Sequence, residues 1–574
     1  MKIKHYFGLA VIAAMTASCS SNEDLGTAGT GTGTNEAGVG YATFSINLPT
    51  TSGTRADANP DFDHGSDYEY KVNDATLLIF KQGKATKEGD YTFVESAELG
   101  SMAPWKDPSE TGVTTHAKIT AKLEHVDKTD GYYALVLLNN GTGTNTKVAL
   151  PTTPTTEGEG MKFSDWNAVA NAKAKDIANY TNGFYMANAP LFKDNKVTTL
   201  VAIDQNKIYP TEEQAAKSAA TDVYVERGLA KVTLTGTAEE KPVAGVTYKG
   251  DKVTIKNWAL DVTNKNTFPI HNVDGLTTDY EAIWSNTATP TGSNGATTQR
   301  FVDNNPKTIA KRVYWGKDPN YSNTDADKTA LKTEFNYVAN NDVTVEPSKP
   351  LYCLENTFNL ANMKQGQTTR VVFKATYKPA SLPEGETTFY KIGKNTAIWR
   401  EADLEQEIKA AVASVVSGAA GKTTVTLNAD KNDITAAGTH YITKDNITVT
   451  GVETISDENI KAINTQLGLK EADKVGISTY AGGESYYIAR IKHFGDALTK
   501  WKSGTYGEKN LEYLGRYGVL RNNWYELTVQ SVSGPGYPSV PEVKPSTPDD
   551  EDDNYINVSV KILDWAKRSQ DVNL

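Results

Sequence analysis

The chain has 574 residues, enough for two or three units with cores of their own, and at 38% hydrophobic and 22% charged it is a somewhat polar globular sequence. A net charge of −11 leaves no basic surplus to neutralise phosphates, which excludes general nucleic-acid binding. Its 45 Gly and 22 Pro, with many Thr, Asn, Ser and Tyr, favour short strands joined by turns, so a mainly β fold is expected.

Residues 1–19 read as an export signal. Lys2 and Lys4 form a short positive region, and residues 7–15 are apolar but too few to span a bilayer. The run Thr16-Ala17-Ser18-Cys19 resembles the lipobox of bacterial lipoproteins, in which the cysteine is acylated, for example with palmitate, and becomes the first residue after cleavage. Thr16 stands where that pattern usually carries Leu, and an ordinary secretory signal with an incidental cysteine is the alternative. A lipid at Cys19 would hold the precursor on a membrane until something released it.

Residues 20–40 (SSNEDLGTAGTGTGTNEAGVG) read as a Gly/Thr tether. Its Gly29-x-Gly31-x-Gly33 pattern, with no strand before it and no helix after it, says nothing about nucleotide binding. Residues 41–48 (YATFSINL) alternate strictly: Ala42, Phe44, Ile46 and Leu48 are apolar and their neighbours polar, the pattern of a half-buried strand. The polar run that follows holds Arg55-Ala56, and Arg55 is the first arginine of the chain. A cut there would remove the lipid anchor and this strand together and leave an open apolar groove.

Helices are expected at 164–180, at 211–220 behind a Thr211-x-x-Gln214 capping box, at 403–416 and at 457–469. In the 403–416 segment Leu404, Ile408, Ala411, Val412 and Val415 share one face. These helices are expected late in the chain, as decorations of the second domain. Cys353, in the apolar run 351–354, is expected to be a small buried hydrophobe rather than a nucleophile; with Cys19 acylated, no intramolecular disulfide is possible.

Near the C-terminus, residues 533–554 form a Pro-rich, acidic, extended linker. Residues 555–562 (YINVSVKI) then alternate again, with Ile556, Val558, Val560 and Ile562 on one face. The phase shifts to Leu563 and Trp565, which a β-bulge would produce. Each terminus thus carries an amphipathic strand on a flexible lead. Strand exchange between copies is one way to use such a pair, and pairing of both strands within one chain is the other.

Several segments resemble the Bacteroidales fimbrillins, and among them the shaft subunits of the minor (short) fimbriae of Porphyromonas most of all. They are VNDATLLIFKQG (72–83), YYALVLLNNG (132–141), FYMANAPLF (184–192), VYVERGLAKVTLTG (223–236), RVYWGKDPNYSN (312–323), LYCLENTF (351–358) and RYGVLRNNWYELTVQSV (516–532). The last is the most specific, with Arg521, Asn522, Asn523, Trp524 and Tyr525 leading into an alternating strand. The resemblance implies two tandem transthyretin-like β-sandwich domains with a few helical insertions. The implied division is 1–19 signal, 20–55 propeptide, 56–222 first domain, 223–532 second domain, and 533–574 linker with donor strand. It implies an outer-membrane lipoprotein precursor cut at Arg55-Ala56 by an arginine-specific protease, after which the 555–565 strand of a neighbouring copy fills the groove left by 41–48. The partners so implied are other copies of the chain, fimbrial anchor and tip subunits, and host or bacterial surface receptors. The lipid anchor is then transient, and the mature protein belongs to a cell-surface fimbrium that serves adhesion and virulence.

No enzyme, cofactor or metal is expected. The run Gly418-Ala419-Ala420-Gly421-Lys422-Thr423 imitates a phosphate loop, but Val416 replaces its first glycine and the helix lies before it rather than after. The seven histidines lack metal-ligand spacing, and the acidic run 549–553 lacks the glycine of a calcium loop and reads as solvated linker. The nine Trp and 29 Tyr suit strand cores, although an adhesive aromatic face is the alternative. A cell-surface lipoprotein that does not polymerise and binds glycans or host proteins remains the competing function.

Overall fold

The computed structural model describes residues 32–47, 66–100, 116–127, 130–143, 145–152, 160–168, 174–193, 196–218, 221–237, 240–274, 311–313, 315–322, 328–357, 360–393, 395–427, 441–470, 472, 475–493, 514–550 and 556–564. The chain is mainly β, with short helices between strands. Fourteen strands carry the argument. The first seven are β1 (Gly40–Asn47), β2 (Ala75–Lys81), β3 (Thr92–Gly100), β4 (His116–Leu123), β5 (Tyr132–Leu138), β6 (Met186–Asn188) and β7 (Thr221–Arg227). They lie in the order β3-β2-β5-β6-β7-β1-β4, with the short strand Val201–Ala202 beside β5.

This sheet curls on itself. β7 pairs with β1 through residues 221–224 and with β6 through 225–227, so it turns the corner between two layers. At the far ends of the order, the Glu95 carboxylate on β3 accepts the backbone N–H groups of Glu124 and His125, just past β4, at 3.0–3.2 Å. Apolar side chains from both layers, among them Phe44, Leu77, Ile79, Val136 and Val225, meet in one core and are fully buried.

Gly228 separates β7 from β8 (Leu229–Thr235), which opens the second half. There β9 (Lys252–Asp261), β10 (Leu351–Leu354), β11 (Arg370–Lys378), β12 (Glu484–Arg490), β13 (Asn523–Val532) and β14 (Ile556–Asp564) build a β-sandwich. One sheet runs β10-β8-β13-β14, and the other runs from the short strand Lys241–Pro242 through β9-β11-β12. Val232, Tyr525 and Leu527 of the first face Trp258, Phe373 and Tyr487 of the second across a core of their own. Alternation along β13, where odd-numbered Tyr525, Leu527 and Val529 point inward, is the period-2 rule at work.

Between β11 and β12, which are sheet neighbours, the chain leaves to form a small unit with a third core. It holds two helices, Glu401–Val415 and Asp457–Gln466. Leu404, Ile408, Ala411 and Val412 form the buried face of the first, as their spacing predicts, and Val415 packs at the margin. The two earlier helices belong to the first half instead. The 164–180 segment holds only short turns in its described parts, Phe163–Trp166 and Ala174–Ile177. The 211–220 segment becomes α1 (Glu212–Ala216), whose Thr211 hydroxyl accepts the Gln214 N–H; this is the N-cap half of the expected capping box, and the return bond, from the Thr211 N–H to the Gln214 side chain, is not made.

Candidate functional site

β1 is a central strand with neighbours on both sides. Its eight residues pair antiparallel with β4, from Gly40 opposite Leu123 to Asn47 opposite His116. Its second half pairs parallel with β7, from Phe44 opposite Thr221 to Asn47 opposite Tyr224. Ala42, Phe44 and Ile46 point into the core at 1%, 0% and 2% exposure. Burial of the Phe and Ile side chains stabilises the pairing by about 1.5–3 kcal/mol each. At its start the Tyr41 N–H donates to the Tyr209 carbonyl and the Tyr41 carbonyl accepts the Tyr209 N–H, and Gly40 lies so close to Ile208 that a Cβ would meet its Cγ2 at 2.5 Å.

The polar face of β1 is covered too, which alternation alone does not reveal. α1 lies across it: the Thr43 hydroxyl donates to the Ala215 carbonyl at 2.8 Å and meets the Thr120 hydroxyl at 2.9 Å. Thr43 and Ser45 are therefore buried although polar, because their hydroxyls find partners. Removing β1 would expose two strand edges, a row of apolar side chains and the underside of α1 at once. Leu48, Arg55, Ala56 and Cys19 lie outside the described residues, as does Trp565.

At the other end, β14 pairs antiparallel with β13 along its whole length, Ile556 opposite Val532, Val558 opposite Val529, Val560 opposite Leu527, Ile562 opposite Tyr525 and Leu563 opposite Trp524. Among the described residues it is the edge strand of its sheet, with β13 as its neighbour. The irregularity expected at Ile562-Leu563 falls elsewhere. The ladder is regular there and slips between Val529 and Ser531 of β13, because the extra residue of the bulge is on the partner strand.

The linker before β14 is extended but not a loose lead. Tyr537 exchanges both backbone hydrogen bonds with Tyr486 at 2.7 and 2.8 Å, and the hydroxyls of Tyr480 and Tyr487 donate to the carbonyls of Gly536 and Gly534. Arg370 donates to the Pro541 carbonyl, and Gln365 N–H to that of Thr547. Asp549, expected to be solvated, is fully buried and accepts from the Thr368 hydroxyl at 2.8 Å. Only residues 551–555 separate this anchored stretch from β14.

The segment 521–525 joins the two halves. Arg521 and Glu355 form an ion pair at 2.5 Å with side chains 2% and 1% exposed, and the same guanidinium donates to Thr267 Oγ1 and the Phe268 carbonyl. Asn522 takes a left-handed backbone (φ 60°), which asparagine tolerates, and its Oδ1 accepts from the Arg227 N–H. Trp524 donates from Nε1 to Thr233 Oγ1 and carries the Lys231 ammonium 3.6 Å above its ring. Lys231 is itself paired with the buried Glu69 at 2.8 Å. The Tyr525 hydroxyl accepts the Leu520 N–H and meets His493 Nδ1 at 2.8 Å.

Cys353 is 5% exposed on β10, and burial pushes its thiol up to about 12. Alkylation with iodoacetamide at pH 8 should therefore leave Cys353 unmodified in the folded protein and label it only after denaturation, as read by peptide mass; labelling of the folded protein at the rate of a free thiol would contradict this placement. The 418–423 loop follows its helix and precedes the strand Thr423–Val425, the wrong order for a phosphate cradle. Among the described residues no group of three or more His, Cys, Asp or Glu side chains is placed to hold a metal, and no helix is long and apolar enough to cross a membrane.

Residues 478–571, which include β12, β13 and β14, match the family described as major fimbrial subunit protein type IV, fimbrillin, C-terminal. No curated protein matches the chain. Among solved structures, a candidate cell adhesion protein from Parabacteroides distasonis is 11% identical with a TM-score of 0.37, over 92% of this chain and 98% of the other. A candidate cell adhesion protein from Bacteroides eggerthii is 12% identical with a TM-score of 0.34, over 94% and 98%. A fimbrial assembly protein from Parabacteroides distasonis is 12% identical with a TM-score of 0.24, over 62% and 92%.

Proposed function

We propose that the chain is a structural subunit of a bacterial surface fimbria, of the shaft type, which polymerises by protease-triggered strand exchange and contributes to adhesion. One observation carries the reading: β1 is a central strand with its middle buried on both faces, yet its covalent connection to the strands it pairs with runs through the segment that bears Arg55-Ala56. The match of residues 478–571 to the fimbrillin C-terminal family supports the fimbrial role. On this reading the chain comprises two tandem transthyretin-like domains, and the lipid at Cys19 delivers it to the outer membrane. An arginine-specific protease cuts after Arg55, β1 leaves, and the β14 segment of another copy, with Ile556, Val558, Val560 and Ile562 on its apolar face, takes its place between β4 and β7. A groove on one copy and a donor on the next make a contact that does not close on itself, so a filament grows. Anchor and tip subunits end it, and host or bacterial receptors meet its surface.

The anchored linker restricts how copies can meet. If residues 533–550 stay docked, the five residues 551–555 span at most about 18 Å, so the groove of the neighbour must open within about that distance of Asp550. The competing function, a surface lipoprotein adhesin that remains monomeric, is favoured by one observation: β14 already has a place on its own sheet. Tyr68 and Tyr180, 49% and 40% exposed beside Tyr352, would suit such an adhesin as a contact face. Mass spectrometry of protein taken from the cell surface separates the two. The shaft reading expects a chain that starts at Ala56, and it expects Arg55→Ala to leave an acylated precursor and no filament. A wild-type surface form that starts at acylated Cys19 would favour the monomeric adhesin.

A further inference from the structure

We infer that the incoming strand of a second copy enters the groove in one register and one direction, with residues 555–562 taking the places of 41–48 position for position. The inference rests on the strand-exchange reading above and goes beyond it. Its starting point is that the two segments, YATFSINL and YINVSVKI, match over their whole length. Tyr555 corresponds to Tyr41 and Ser559 to Ser45, and Ile556, Val558, Val560 and Ile562 correspond to Ala42, Phe44, Ile46 and Leu48.

The geometry of the groove rejects the neighbouring registers. A slip by one residue turns Asn557, Ser559 and Lys561 into the core. A slip by two in one direction carries Lys561 to the position of Ser45, which is only 7% exposed, so that an ammonium would be buried in place of a hydroxyl. The opposite slip puts Asn554 where Ala42 is 1% exposed, with no partner for its amide in an apolar core. Only the matched register places apolar side chains at the buried positions 42, 44 and 46 and keeps Lys561 out of the covered positions 43 and 45. At those three apolar positions Ile556 is larger than Ala42 while Val558 and Val560 are smaller than Phe44 and Ile46, a net loss of about two side-chain carbons that calls for local repacking. In this register Tyr555 is the first residue of the ladder.

The outer face selects the direction. Thr43 occupies a polar niche between Thr120 and the Ala215 carbonyl on α1, and Asn557 in its place brings an amide donor for that carbonyl. With the strand reversed, Lys561 would sit there, and its long charged side chain would have to fit where the short Thr43 is 4% exposed beneath α1. Ser559 replaces Ser45 in either direction, so position 45 does not distinguish them.

Cysteine pairs read the register directly, because positions 43 and 120 are directly opposite on antiparallel strands and such pairs lie within disulfide range. The acceptor is the full chain carrying Thr120→Cys, cut at Arg55. The donor is uncut chain, with its own groove filled, carrying Asn557→Cys, Ser559→Cys or Lys561→Cys. Each variant is first shown to form filaments as the wild type does when all copies are cut. A disulfide-linked heterodimer is expected with Asn557→Cys at least tenfold in excess of the other two. Preferred linkage through Ser559→Cys would mean a two-residue slip, and through Lys561→Cys a reversed strand; either overturns the register and leaves strand exchange standing. If wild-type filaments form and none of the three donors links, the groove is not filled by this strand, and both the register and the underlying reading fall.

Discussion

Phe44→Ala should lower the stability of the uncut chain by about 3–5 kcal/mol and leave the assembled, Arg55-cleaved chain unchanged. Phe44 is fully buried in the middle of β1, so truncation loses its transfer free energy and leaves a cavity that β4 and β7 cannot close without breaking their ladders. In a denaturant titration of the precursor, the transition of the first half should move to lower concentration, monitored by proteolysis of residues 66–227. After cleavage and assembly the groove holds another strand, and the variant residue has left with the propeptide. The same titration on filaments should then superimpose on the wild type. A loss that persists after assembly would mean that β1 never leaves.

Arg521→Ala should cost about as much, 3–5 kcal/mol, in both the uncut and the assembled chain. Its guanidinium is enclosed with Glu355, and deletion leaves a buried carboxylate whose nearest compensating charge is gone. Because this pair ties β13 to the chain before β11, away from β1, cleavage at Arg55 does not relieve the loss. The contrast between the two variants is the useful result: one defect belongs to a strand that is discarded, the other to a junction that is kept. A second substitution, Arg521→Ala with Glu355→Ala, should recover part of the loss, because no charge is then left unpaired.

The sequence read well where burial is one-sided and local. Ala42, Phe44 and Ile46 announce themselves by alternation, as do Tyr525, Leu527 and Val529, since a strand with one core face repeats every two residues. The helix at 401–415 shows its face by the spacing of Leu404, Ile408 and Val412. What stayed hidden depends on partners far along the chain. Thr211 and Gln214 mark a helix start, but nothing local says that α1 lies over Thr43, 172 residues before the Ala215 that it contacts. The composition of 533–550 indicates an extended segment, yet its docking depends on Tyr486, Arg370 and Thr368, which lie in other strands and turns. Arg521 through Tyr525 stands out as a motif, whereas its physical reason, a buried carboxylate at Glu355, sits 166 residues away. The bulge was expected on β14 because two apolar residues fall together there; the extra residue is on β13 instead, since either strand of a pair can absorb a slip.

The most direct test of the account is polymerisation of the purified chain after cleavage at Arg55, followed by electron microscopy and sedimentation. Filaments should appear with the cut chain, be absent with the uncut chain, and be absent when residues 555–574 are deleted from a cut chain that otherwise folds. Filaments that form equally well without residues 555–574, or a cut chain that remains monomeric with β1 still bound, would contradict assembly by strand exchange.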